Sequence, residues 1–131
     1  MKRPLSEQEQ WSKFYDVDLP GGEEWEGLFK NIVAAGKVEN KRDKIAFRTG
    51  NVFIEYQCRG RPSGLATTEA DWWAIGLEGV DGDVEVAILV SVPWLKDTCR
   101  PFLGTSRDVA GGDNGLSRGV LLAVSEIADH L

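Results

Sequence analysis

Residues 41–58 read Lys41-Arg42-Asp43-Lys44-Ile45-Ala46-Phe47-Arg48-Thr49-Gly50-Asn51-Val52-Phe53-Ile54-Glu55-Tyr56-Gln57-Cys58, and the fold turns on them. Val52 to Cys58 is rich in β-formers and predicts a strand. Thr49-Gly50-Asn51 is a turn signal. The segment before it, 37–47, reads as a strand broken by charge. Alternation along a strand puts residues i and i+2 on one face, so Glu55 is expected beside Gln57, and Lys41 beside Asp43. If the two strands pair across the turn, Asp43 and Glu55 come close together. Neighbouring carboxylates repel unless arginine, lysine or a divalent cation neutralises them. Magnesium takes one or two carboxylates, waters and substrate phosphate oxygens. The pattern outlines a metal-dependent phosphodiesterase, with basic neighbours to hold a nucleic-acid backbone.

Outward from this stretch the chain is organised as one domain over 1–131. Residues 1–19 read as an N-terminal arm or short helix, and Pro20-Gly21-Gly22 as a break. Glu23 to Ala35 carries Trp25, Leu28, Phe29, Ile32 and Val33 at helical spacing. Its acidic first turn suits the helix dipole, and Gly36 fits a stop. Gly60 to Gly64, with Pro62, is expected to be a loop, and Thr67 to Asp71 a short helix. Trp72 to Leu77 reads as a strand, with a turn around Gly79 and Gly82. Val84 to Val92 is the expected most buried strand. Pro93 should open a helix to about Phe102. Gly111 to Gly115 reads as a loop without a nucleotide-binding pattern. Val120 to Val124 reads as a strand, and Ser125 as the cap of a last helical turn. This order predicts an α/β fold, a mixed central sheet flanked by helices.

Composition narrows the chemistry. In 131 residues, 42% are hydrophobic and 27% charged, which excludes a disordered tail or a coiled coil. The longest apolar run, Val86 to Val90, is five residues, so no membrane span is expected and a cytoplasmic protein is. Cys58 and Cys99 form no C-x-x-C and read as two reduced thiols. His130 is the single histidine, which argues against a histidine-based nucleophile or a multi-histidine metal site. Of five tryptophans, Trp72 and Trp73 should point to opposite faces of their strand, one into the core. Trp25 and Trp94 are expected to pack helix on sheet, and Trp11 suits an oligomer contact.

Net charge is −6, yet residues 37–61 hold seven basic against three acidic residues, leaving eight against eighteen elsewhere. A basic island in an acidic chain can focus an anion onto one face. A solvated strand edge guarded by lysine and arginine has the same composition.

Asp43, eleven intervening residues, then Glu55-Tyr56-Gln57 resembles the D…(D/E)-x-K core of the PD-(D/E)XK, or restriction-endonuclease-like, nucleases. The texts Thr49-Gly50-Asn51-Val52-Phe53-Ile54-Glu55-Tyr56 and Gly60-Arg61-Pro62-Ser63-Gly64, with Thr67-Thr68-Glu69-Ala70-Asp71-Trp72-Trp73, resemble the small phage-type members. That resemblance implies a restriction-endonuclease-like fold and Mg2+- or Mn2+-dependent hydrolysis of DNA, in a host cytoplasm if phage-encoded. It makes Asp43 and Glu55 metal ligands, with the Tyr56 carbonyl a third and Glu26, ahead of Glu23, an acid from the preceding helix. Where the pattern has lysine this chain has Gln57, which carries no positive charge; Gln57, with Lys41 as the stand-in for the lysine, is expected to position the attacking water or steady the transition-state charge. Arg42, Lys44, Arg48, Arg59 and Arg61, with Ser63, Thr67 and Thr68, become candidates for phosphate contact. A homodimer is expected by symmetry reasoning. Two other functions fit the residues: an inactive nucleic-acid-binding module on the same fold, and a small acidic protein-interaction domain.

Overall fold

A computed structural model describes residues 19–131, with side chains from 22 onward. The arm expected over 1–19, and Trp11 within it, lie outside the described residues except for position 19. The chain divides into two compact units, 1–35 and 36–131.

The first unit contains helix α1, Leu19–Ala35. Pro20-Gly21-Gly22 does not break it. Proline is tolerated in a first helical turn, where its missing N–H would have no partner, and each glycine weakens the helix by about 1 kcal/mol without ending it. The helix stops at Ala35, before Gly36, as expected. Of its apolar positions Ile32 is buried, while Trp25, Leu28, Phe29 and Val33 are exposed. Within this helix the Trp25 ring lies 5.8 Å from that of Phe29, one turn on.

The second unit is mixed α/β, with two sheets and helical segments against them. Strands β1 (Val38–Asp43), β4 (Trp72–Glu78) and β5 (Val84–Ser91) form a sheet in the order β1–β4–β5; β1 runs parallel to β4, and β5 antiparallel. Strands β2 (Asn51–Cys58), β3 (Arg61–Pro62), β6 (Asp108–Gly111) and β7 (Ser117–Ala123) form an antiparallel sheet, ordered β3–β2–β7–β6.

β1 and β2 therefore do not pair, which corrects the expected hairpin. Between them Ala46–Thr49 forms a helical turn, α2, closed by Gly50 at φ +75°, whose N–H donates to Ala46 O at 2.7 Å. A left-handed residue after a helical turn is the glycine stop. It redirects the chain into the second sheet instead of pairing it with β1. The tight hairpin is one step later. Arg59 (φ +52°) and Gly60 (φ +78°) join β2 to β3, the two-residue pattern with both central residues left-handed.

The core draws on both sheets: Val52 and Ile54 of β2, Val120 and Leu122 of β7, Trp73 and Ile75 of β4, and Val90 of β5. Helix α3 (Val92–Cys99) adds Val92, Leu95 and Cys99. Each aliphatic side chain fully buried here contributes about 1.5–3 kcal/mol. Ser91 caps α3, its Oγ accepting Trp94 N–H at 3.3 Å, and a 3-10 turn over Arg100–Phe102 completes the helical stretch expected from Pro93.

Several expectations shift. β5 is not the most buried strand: it is an edge, and Val84 to Ala87 are exposed. The interior pair β2 and β7 takes that place. Thr67 to Asp71 forms no helix; a 3-10 turn covers Gly64–Ala66 instead. Ser125 lies inside a 3-10 turn, Val124–Glu126, that has no side-chain cap. Trp73 is buried and Trp72 half-buried, as alternation requires. Both cysteines are free. Among the described residues no helix is long and apolar enough to cross a membrane.

Candidate active site

The alternation of β1 places Glu39, Lys41 and Asp43 on one face, progressively more covered. Lys41 Nζ lies 3.3 Å from Glu39 Oε2 and 4.8 Å from the centre of the Trp73 ring. Trp73 Nε1 donates to Thr68 Oγ at 3.2 Å, and that hydroxyl lies 3.5 Å from Glu39 Oε2. The ammonium is thus held by a carboxylate at its side and an aromatic face beneath it.

A cleft of about 80 Å³ has Lys41, Asp43, Glu55 and Trp73 among its lining residues. Lys41, Asp43 and Glu55 meet without the expected hairpin, because the helical turn α2 brings β2 back beside the end of β1. Asp43 makes that meeting. Its Oδ1 accepts the N–H groups of Ile45 (3.0 Å) and Ala46 (2.8 Å), and its Oδ2 accepts Phe53 N–H at 3.1 Å. One buried carboxylate caps α2 and fastens β2 to the end of β1.

Glu55 is also engaged. Ser117 Oγ donates to its Oε1 at 2.5 Å and Ser63 Oγ to its Oε2 at 3.0 Å. Ser63 stands there because Gly64, at φ +49°, lies against the Glu55 backbone; a Cβ on Gly64 would come 2.3 Å from Glu55 O. The Tyr56 carbonyl accepts Ser63 N–H at 3.0 Å. Carboxylate oxygens carry about two acceptor sites each, so these contacts leave capacity for a cation. Among the described residues, no three of His, Cys, Asp and Glu are gathered as a metal-ligand set.

Gln57 does not share a face with Glu55. A bulge at Tyr56 shifts the register, so Glu55 opposes Gly119 whereas Gln57 opposes Arg118. Opposed residues share a face and adjacent ones do not, so Gln57 points away from Glu55. Glu26 and Glu23 are exposed on α1, in the other unit.

The basic candidates separate. Arg42 is occupied: its Nη2 donates to Gly82 O at 2.7 Å, and its Nε lies 2.9 Å from Glu78 Oε2, an ion pair off the hydrogen-bond axis that leaves Oε2 without a true donor. Lys44 and Arg48 are exposed before β2, and Arg59 and Arg61 are exposed after it. An eight-residue strand separates these pairs, roughly 25 Å, or about seven base pairs of duplex. Thr67 is exposed with its hydroxyl 3.5 Å from Gly64 O, and Thr68 belongs to the Glu39 network.

Two groups went unread in the sequence. Glu39-Asn40-Lys41 is an acid-x-lysine text two residues before Asp43. It has the acid-x-lysine spacing that Glu55-Tyr56-Gln57 lacks. The second is a cluster on the bulge: Tyr56 OH donates to both oxygens of Asp108 (2.7 and 2.9 Å), which also accepts Gly104 N–H at 2.9 Å and faces Arg118 at 3.2 Å. The Gly104 N–H foremost, then Tyr56 and Arg118, hold the Asp108 carboxyl below its ordinary range. No spacing rule foretells it, since its members are brought together by strand pairing. Compared with family models, curated proteins and solved structures, the chain matches none.

Proposed function

We propose that this chain is a divalent-metal-dependent nuclease acting on DNA, built on a restriction-endonuclease-like arrangement, with the β1–β2 cleft as its centre. The observation that carries the reading is the convergence of Lys41, Asp43 and Glu55 on one cleft, with Glu39 at the side of the lysine. Two carboxylates of hard oxygen donors suit Mg2+ or Mn2+, which need few protein ligands when substrate phosphate and water supply the rest. Asp43 and Glu55 would hold the cation, which supplies Lewis acidity at a phosphoryl oxygen. Lys41 is charged, half-covered and oriented by Glu39 and Trp73, so it is the group to steady negative charge developing on the phosphate. Gln57 has no part in this cleft. Lys44 and Arg48 on one side, and Arg59 and Arg61 on the other, would contact the backbone.

A second reading is favoured by a separate observation: the oxygens of Asp43 and Glu55 already accept internal donors. Carboxylates so engaged suit a module that binds nucleic acid without cleaving it. The deciding experiment incubates linear, circular, single-stranded and branched DNA with Mg2+ or Mn2+ and the wild type, Glu55→Gln or Lys41→Met. Cleavage by the wild type alone supports the nuclease. Salt-sensitive binding without cleavage selects the second reading. Neither binding nor cleavage removes both.

A further inference from the structure

A second cleft, of about 220 Å³, shares only Ile54 with the first, and the nuclease reading has no use for it. Its inner wall is made by Ile54, Leu65, Cys99 and Val120, all buried core residues. Burial pushes the Cys99 thiol up to about 11, so it is an uncharged part of that wall. The volume is the room of about seven waters, yet water needs two to four polar partners, which this wall does not offer. An apolar body of a short alkyl chain or a single ring fits it better.

The wall is also fixed in advance. Alternation along β2 puts Tyr56 on the face of Ile54, toward this cleft, and the register shift comes only after Glu55. The phenol is then locked by Asp108, itself pinned by Gly104 and Arg118. A ring held at both ends loses little freedom when a ligand packs on it.

The rim is cationic. Lys96 and Arg100, one turn apart, line the cleft at the end of α3. Arg100 meets Asp97 at 2.9 Å through one nitrogen, an exposed pair that leaves most of its donors facing outward. We propose that this cleft is a binding site for a small monocarboxylate with an apolar body, its chain or ring against Ile54, Tyr56 and Val120 and its carboxylate at Lys96 and Arg100. The proposal does not depend on nuclease activity.

The test is titration of the full chain with octanoate, read by methyl NMR shifts. Saturable shifts at Ile54, Leu65 and Val120 are expected, with octanol bound more weakly. Lys96→Gln and Arg100→Gln should each weaken octanoate about fivefold without moving the melting temperature of the free protein. Ala66→Trp, from the exposed rim, should block binding, and Leu103→Trp serves the same end if the first variant does not fold. Absence of saturable shifts, octanol binding as tightly as octanoate, or wild-type affinity in a folded blocking variant would each overturn the proposal.

Discussion

The backbone N–H of Phe53 donates to Asp43 Oδ2 at 3.1 Å, joining the third residue of one sheet's interior strand to the last residue of a strand in the other sheet. The same carboxylate caps the helical turn between them. Asp43→Ala leaves three N–H groups without their acceptor and should destabilise by about 2–3 kcal/mol. Asp43→Asn keeps one acceptor oxygen and should lose about half as much. Urea titration of both variants measures this, and equal losses would mean that the oxygen kept by asparagine contributes nothing.

Phe53 also lies across two glycines. A Cβ on Gly119 would sit 2.6 Å from its ring and 2.7 Å from Ile54 O, and one on Gly111 2.8 Å from the ring. Gly119→Ala should cost about 3 kcal/mol. Combining it with Phe53→Leu should recover only part, because the backbone oxygen remains in the way. Full recovery in the double variant would show that the ring alone sets the requirement for glycine.

Asp108 supplies a pH dependence of known sign. Its folded carboxyl sits below the ordinary value, first through the Gly104 N–H and then through Tyr56 and Arg118. A depressed folded value stabilises above the unfolded value of about 4 and is lost as pH falls through the folded one. The stability gap between wild type and Asp108→Asn should be widest near neutrality and narrow below about pH 4. Glu126, also lowered, by Arg107, is common to both proteins and cancels. A gap that stays constant into acid would assign Asp108 a packing role only.

If the β1–β2 cleft is catalytic, Gln57 is a bystander, since the bulge turns it from Glu55. Gln57→Ala and Gln57→Lys should leave cleavage within about twofold, whereas Lys41→Met and Glu55→Gln should lower it about a hundredfold. Activity gained in Gln57→Lys would restore that position to the site.

The thiols should separate by reactivity. Cys99 is buried with its thiol raised to about 11, whereas Cys58 is half-buried near the end of β2. A disulfide reagent at neutral pH should modify Cys58 promptly and Cys99 only on unfolding. Two equal fast phases would show that the Cys99 wall opens.

The sequence by itself determined the local elements whose signals are local. Strand-formers gave β2 and β4, Ser91 and Pro93 gave the start of α3, and alternation put Trp73 in the core. It also named Lys41, Asp43 and Glu55 as residues of one neighbourhood. Only the tertiary structure decided how they meet. A turn signal says that the chain bends, not whether it returns on its own strand or passes to another sheet, and Gly50 after a helical turn sends it to another. Alternation fixes a face only while the register is unbroken, so one extra residue at Tyr56 reversed Gln57. Hydrophobicity marks what can be buried, but position in the sheet decides what is; Val84 to Ala87, apolar but for Glu85, lie on an edge and stay exposed.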